Sequence, residues 1–550
     1  MVEKYTQNLR RAELKHALDV AAGNKPADLL IKGGAVLDLI SGEICRADVA
    51  IAEQTIAGIG CGYEGIKVVD ATGLTIVPGF IDAHAHLESS LMTPFEFEKM
   101  TLPLGTTTVI ADPHEITNVM GIEGFKWFLR CSTLMHQNLF LQVPCRALSL
   151  AGYETNGANF SLDEMFVYLD HPRVLGVGEM MNYPEWIRGE KRVLDRLEAF
   201  DGVIADQVKE KLATGMTSML RKGSASKNLF KFAPIVKEFN STQCLLCPDD
   251  RKPYEITKEG HINYLIRQLI EKRSMPLHIA YRLSSFSAAK HFGLKRLGLV
   301  ASGYQANLVL LSDPKKVKIE NVFVKGLSLK DIDLESSKKL IKSNPPLQNT
   351  IQRKPIKIED LNYPKQPGIY HVVEVIPQEI ITNHLKIYYD GASFSEEGVQ
   401  FVAVFERYGT QSPPVLGFVK GFNLIDNCAM ASSVAHDSRN LIVVASSLDA
   451  ITLAINSLIK MRGGLVIVKD DQVIASLPLP VGGLLSLESV EYLTQHLAAL
   501  KEAQEIIGTP LRWPFLQMAF LALPVLSSPK IIDQGLIDVT MKQKLTLEAA

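Results

Sequence analysis

Cysteine is scarce in this chain. There are seven in 550 residues, an odd number with no framework spacing, which excludes a disulfide-stapled scaffold and suits a reducing compartment. Cys244-Leu245-Leu246-Cys247 has zinc-knuckle spacing, but no second Cys or His pair lies nearby, so both cysteines read as core residues. An excess of charge is also lacking: 58 Lys and Arg stand against 60 Asp and Glu, which argues against nucleic acid as a partner. The longest apolar stretch, Phe515 to Leu526, is interrupted by Gln517 and Pro524 and is too short to span a bilayer. Met1 to Gln7 contains no apolar segment of the signal-peptide kind, so the expectation is a cytoplasmic protein with no membrane contact. Repeats and low-complexity tracts do not stand out. What remains is an ordinary globular composition in a chain too long for one core, so two to four domains are expected.

Residues 5–22 carry Leu9, Leu14, Ala17, Leu18 and Ala21 at helical spacing. From Asp28 to Val77 short apolar runs alternate with Gly33-Gly34, Ser41-Gly42 and Gly60, the pattern of a small antiparallel β unit. Similar texture returns at 298–325, so one β domain is expected from both flanks of an insert. The insert alternates buried strands with helical stretches, which implies parallel β/α architecture. The boundaries read as 1–77 and 296–330 for the β domain, 78–295 for the insert, 331–365 for a Lys-, Ser- and Pro-rich connector, and 366–550 for a C-terminal α/β domain.

Within the insert, Pro78-Gly79-Phe80-Ile81-Asp82-Ala83-His84-Ala85-His86 is an apolar strand ending in a His-x-His pair. Two residues apart on a strand, the imidazoles share a face and can ligate one metal, whose bound water becomes a nucleophile at neutral pH. Three more strands end in polar groups: Asp112-Pro113-His114-Glu115, Gly178-Glu179 and Cys247-Pro248-Asp249-Asp250-Arg251. Any one such carboxylate is more often a turn or helix cap, but four in order within one β/α unit point to a site at the carboxyl ends of barrel strands.

The sequence resembles the adenine deaminases of the amidohydrolase superfamily. The matching stretches are Pro78–Ser90 (PGFIDAHAHLESS), Gly105–Val119 (GTTTVIADPHEITNV), Gly178–Tyr183 (GEMMNY), Gly223–Leu229 (GSASKNL), Glu259–Asn263 (EGHIN), Ala435–Asn440 (AHDSRN) and Leu477–Leu484 (LPLPVGGL). The resemblance implies an α/β fold: a (β/α)8 barrel with a small β domain and a C-terminal α/β domain. It implies metal-dependent hydrolysis of adenine to hypoxanthine and ammonia, with Mn²⁺ as cofactor and Fe²⁺ or Zn²⁺ as alternatives. His84, His86, Glu179 and Asp249 would ligate metal, with Glu179 bridging two ions. Asp249, or Asp250 in its place, would also shuttle the proton while water activated by the metal attacks C6 of the purine. His114, Glu115 and Arg251 are candidates for substrate contact, and a homo-oligomer is the default for such enzymes. The His/Cys zinc signature of nucleic-acid deaminases is absent.

The chain also departs from that pattern. No histidine lies between His171 and His261, where the family places metal-binding Asp-Gly-His and Ser-Asp-His-Glu segments on the fifth and sixth strands. Instead Asp201–Asp206 runs straight into a helix expected over Gln207–Thr214. Only 70 positions separate Glu179 from Asp249, whereas about 30 residues per βα unit would require about 120. The barrel is therefore expected to be shortened, with sheet edge exposed. Lys222, Pro248, Lys252, Asn263 and Arg439 stand where the family has other residues. The competing expectation is an inactive homologue that keeps metal or purine binding. His261 and His278 could restore the ligand count, but each reads as a packing or capping residue.

Overall fold

A computed structural model describes residues 10–144, 153–179, 212–334, 339 and 348–549, apart from 159, 169, 225, 226, 364, 365, 378, 380, 527, 528 and 542. After the helix Arg11–Ala21, the strands β1 (Ala27–Leu37), β2 (Ile44–Ala52), β3 (Thr55–Gly60), β4 (Gly65–Asp70) and β5 (Thr75–Pro78) build most of one sheet. Gly33-Gly34 does not end a strand here. Gly33 takes φ +75°, open to glycine because it has no Cβ, and the register shift between Ile31 and Gly34 makes a bulge within one long β1. The unit is not purely antiparallel either. β1 is long enough for β4 to pair in parallel with Ala27–Lys32 and for β5 to do the same at Ala35 and Val36.

Six parallel strands follow: β6 (Phe80–Ala85), β7 (Thr106–Ala111), β8 (Asn138–Val143), β9 (Val174–Val177), β10 (Ser218–Arg221) and β11 (Cys244–Cys247). They pair in the order β6-β7-β8-β9 and β10-β11, and a parallel bridge from Ala85 to Asp249 joins the two sets. β6, β7, β8 and β11 are buried along their whole length, as in sheets covered on both faces. Cys244 and Cys247 are buried and form no disulfide. Of the helix expected over Gln207–Thr214 only residues 212–214 are described, and Met180–Tyr183 and the connector residues 335–338 and 340–347 lie outside the described residues.

The chain then returns to the first sheet. β12 (Leu308–Asp313) pairs antiparallel with β5, from Leu308 opposite Pro78 to Leu311 opposite Thr75, and β13 (Lys318–Val324) and β14 (Leu327–Ser328) extend that edge. The C-terminal part carries a second eight-stranded sheet, running from Gly368–Val375 to Gln472–Pro478, with the helices Leu448–Met461 and Val490–Ile506. Its core is continuous with that of the parallel β/α part: Leu91, Phe95, Phe125 and Leu141 belong to one buried apolar cluster with Phe422, Ile442, Leu479, Leu493 and Met518.

Beneath the histidine pair, β6 is held by a buried polar chain. His261 Nδ1 lies 3.0 Å from Thr106 Oγ1 and its Nε2 lies 3.3 Å from Asp82 Oδ2, while Asp82 Oδ1 accepts the His84 backbone N–H at 3.2 Å. Burial raises the Asp82 carboxyl, and His261 opposes that rise. His261→Ala would strip the partner from a buried carboxylate, and we expect a loss of about 3 kcal/mol in urea denaturation. An unchanged midpoint would show that this pair does not support β6.

Candidate metal centre

His84 and His86 leave β6 on one face because strand side chains alternate, and each is buried. Their Nε2 atoms face each other at 3.2 Å. His86 Nδ1 lies 3.1 Å from the Asp112 carbonyl, which can only accept, so Nδ1 carries the proton and Nε2 presents a lone pair. His84 Nδ1 lies 3.4 Å from Gln142 Oε1, and Gln142 is oriented by donating through Nε2 to the Val177 carbonyl at 3.0 Å. The same tautomer follows. Two lone pairs at this separation repel unless a cation sits between them.

Two carboxylates close on that point. Glu179, just past β9, places Oε1 3.6 Å from His86 Nε2 and Oε2 3.8 Å from His84 Nε2. Its backbone N–H donates to Asp112 Oδ2 at 2.8 Å, and Gly178 is needed because a Cβ there would overlap the Asp112 carboxylate. Asp249, just past β11, places Oδ1 3.4 Å from His86 Nε2 and 3.7 Å from His84 Nε2. It takes φ +67°, a left-handed conformation costly for a residue with a Cβ, and its carbonyl accepts the His86 backbone N–H at 3.1 Å. Asp250 turns away, and its Oδ1 accepts the Ser224 N–H at 2.8 Å. Of the two adjacent aspartates, Asp249 is the one that joins the histidines.

The donor set fits one cation. Metal bonds of about 2.1 Å in tetrahedral geometry separate neighbouring donors by about 3.4 Å. The separations between the two histidines, and from each histidine to each carboxylate, run from 3.2 to 3.8 Å, and the donor atoms of His84, His86 and Glu179 all lie within 4.8 Å of one another. Electrostatics agree. Burial opposes a charge on His86, but the Asp249 contact and the charges of Glu179, Asp249 and Asp112 raise it well above the usual imidazole range. Burial and His86 together lower His84. Burial would raise Asp249, yet Arg221, with Nη1 3.6 Å from Asp249 Oδ2, and the two histidines hold it well below the usual carboxylate range.

Around the centre, His114 Nδ1 lies 3.6 Å from Asp112 Oδ2 and its ring meets His86 edge-on at 4.8 Å. Burial opposes both charges, but their mutual attraction takes Asp112 down to about 2 and His114 up to about 9. Glu115 lies one layer out, where its Oε1 meets Arg439 Nη2 from the C-terminal part at 2.9 Å with both groups buried. Arg439 also contacts His436 at 2.9 Å, and Asn118 donates to the Asp437 carbonyl at 2.9 Å. A cavity of about 340 Å³ opens at this seam between Ser89, Lys252, His436 and Trp513, a size suited to a small molecule.

The remaining candidates are engaged elsewhere. Arg251 donates to the Gly260 carbonyl at 2.9 Å, pairs with Glu259 and stacks on Tyr264. His278 meets Glu238 at 2.6 Å, and His261 lies under Asp82 as described above. Gln142, Arg221 and Arg439 were not singled out as site residues from sequence. Arg439 lay within the AHDSRN segment, and Arg221 directly before Lys222, one of the departures from the family pattern.

Burial would raise Glu115, but Arg439, followed by His436 and His114, lowers it to about 2. A depressed carboxylate contributes stability above its unfolded value near 4.5, and that contribution is lost as pH falls towards 2. Arg439→Met should cost about 3–5 kcal/mol at pH 7 by chemical denaturation, and less below pH ~4, where Glu115 can protonate. An equal cost at both pH values would show that the loss is packing rather than charge.

Residues 75–165 and 222–329 match the amidohydrolase family, and residues 379–543 match the adenine deaminase C-terminal domain. Among curated relatives, an adenine deaminase of Bdellovibrio bacteriovorus is 47% identical, covering 98% of this chain and 97% of its own. Those of Shewanella halifaxensis and Shigella sonnei are 43% and 44% identical, each over 98% of this chain and over 97% and 98% of their own. The alignments run to 571, 573 and 576 positions, more than the 550 residues present, so these relatives carry residues with no counterpart here. With matches over both its barrel and C-terminal parts, the chain belongs to the adenine deaminase family of amidohydrolases.

Proposed function

We propose that this chain hydrolyses adenine to hypoxanthine and ammonia. The observation that carries the reading is the convergence of His84, His86, Glu179 and Asp249, from three separate strand ends, on one point sized for a cation. A divalent ion held there supplies a Lewis acid that makes water acidic enough to attack near neutral pH. Mixed imidazole and carboxylate donors suit Mn²⁺ or Fe²⁺ as well as Zn²⁺.

Asp249 is held ionised and presents Oδ1 to the centre, so it accepts the proton released as water oxygen bonds to C6. It then delivers that proton to the exocyclic amino group, the C6–N bond breaks and ammonia leaves. Adenine plus water becomes hypoxanthine plus ammonia, with atoms and charge balanced. His114, held charged by Asp112, would donate a hydrogen bond to a purine nitrogen, a role its charge and its place beside His86 support. Glu115 acts at one remove, by anchoring the C-terminal part through Arg439. Arg251 braces the turn between the helices Pro253–Glu259 and Ile262–Arg273. No described cysteine is in a disulfide, in keeping with a cytoplasmic enzyme.

A barrel short of a βα unit is part of the same reading: 40 positions lie between Val177 and Ser218, too few for two units of about 30 residues each. The missing histidines favour a second reading, a homologue that binds metal or purine without turnover. An ultraviolet assay of adenine loss on Mn²⁺-reconstituted protein separates the two. Turnover is expected, with Asp249→Asn lowering kcat about 10³-fold. A folded, metal-loaded protein that leaves adenine untouched would reject the deaminase reading.

A further inference from the structure

We infer that this chain works with a single metal ion, at His84, His86, Glu179 and Asp249, and that the Arg221 guanidinium supplies the positive charge a second ion would bring. The inference rests on the metal-dependent reading above and departs from the expectation that Glu179 bridges two ions.

The supply of imidazoles is the first argument. All 13 histidines of the sequence lie among the described residues, so each can be placed. Only His84 and His86 bring a ring nitrogen within 4 Å of Glu179 or Asp249. His114 is turned to Asp112, His436 to Arg439, His261 to Asp82 and Thr106, and His278 to Glu238. The chain between Glu179 and Asp249 contains no histidine at all, so no nitrogen ligand can come from there.

The neighbouring group of His86, Asp112 and His114, whose donor atoms lie within 4.8 Å of one another, does not make up the deficit. His86 spends Nδ1 on the Asp112 carbonyl and Nε2 on the first ion. Asp112 Oδ2 is already accepting from the Glu179 N–H. That leaves His114 and one carboxylate oxygen, too few protein ligands for a second structural ion.

Charge is the second argument. One divalent ion balances the two carboxylates of the centre, Glu179 and Asp249. Arg221, at the end of β10 and beside Cys247 of β11, faces the outer oxygen of Asp249 at 3.6 Å with a side chain 14% exposed. A second divalent ion placed on that side would meet a fixed cation in a largely buried setting. Arg221 thus polarises Asp249 from the side away from the histidines and excludes another ion from it.

The test uses the full-length protein, stripped with a chelator, reloaded with Mn²⁺ and freed of excess metal. Metal content by mass spectrometry should be one ion per chain, and the electron paramagnetic resonance spectrum should be that of isolated Mn²⁺. Two ions per chain, an exchange-coupled spectrum, or no retained metal would overturn the inference. Arg221→Met should tighten Mn²⁺ binding about five- to tenfold, by removing a nearby positive charge, and Arg221→Lys should restore the original affinity. Unchanged affinity in Arg221→Met would remove Arg221 from the account. His114→Ala should keep its ion, and loss of the ion would place the metal in the other cluster. Adenine turnover is read on the same samples: one bound ion without turnover would reject the deaminase reading and leave the single-ion inference standing.

Discussion

Asp112, at the carboxyl end of β7, holds the chemistry of three strands in register. Its carbonyl fixes the tautomer of His86 from β6, its carboxylate fixes the backbone of Glu179 after β9, and the same carboxylate faces His114 at the start of the next helix. Each contact acts on a group that touches the metal point or lies beside it, in the way outer-shell partners set ligand orientation in metalloenzymes. The absence of a Cβ at Gly178 lets β9 end against this carboxylate. Without Asp112, the imidazole orientation and the position of Glu179 would each have to be secured separately.

The C-terminal part contributes to the same region from outside the barrel. It shares a core with the barrel helices, and it reaches the site through the buried Glu115–Arg439 pair and the Asn118 contact with the Asp437 carbonyl. A buried ion pair contributes little net stability over an apolar pair, but it strongly disfavours any arrangement that separates the partners. Its effect here is to set how the C-terminal part sits over the barrel mouth, where the 340 Å³ cavity opens.

Glu179 and Asp249 are 70 positions apart in the chain, yet both reach the histidine pair. The four donors come from the first, fourth and last described barrel strands, and β6 and β11 meet directly through the bridge between Ala85 and Asp249. The ligands drawn from β6, the Glu179 turn and β11 are independent of any unit between β9 and β10.

Local pattern was enough to put His84 and His86 on one face, because alternation along a strand places residues two apart on the same side wherever the strand lies. It was also enough to assign parallel β/α architecture to the insert and to anticipate a sheet drawn from both flanks. Choosing Asp249 over Asp250 was beyond it, since adjacent carboxylates are equivalent until a left-handed backbone turns one inward and Ser224 takes the other. The parallel pairing of β4 and β5 on β1, the inward placing of Gln142 and Arg221, and the turning of Arg251 to Glu259 and Tyr264 were likewise decided by contacts distant in sequence. Residue type and spacing along the chain determined which groups could ligate a metal. Only the packing of strand ends from β6, β9 and β11 decided which of them meet, because those distances are set by long-range pairing that no local window contains.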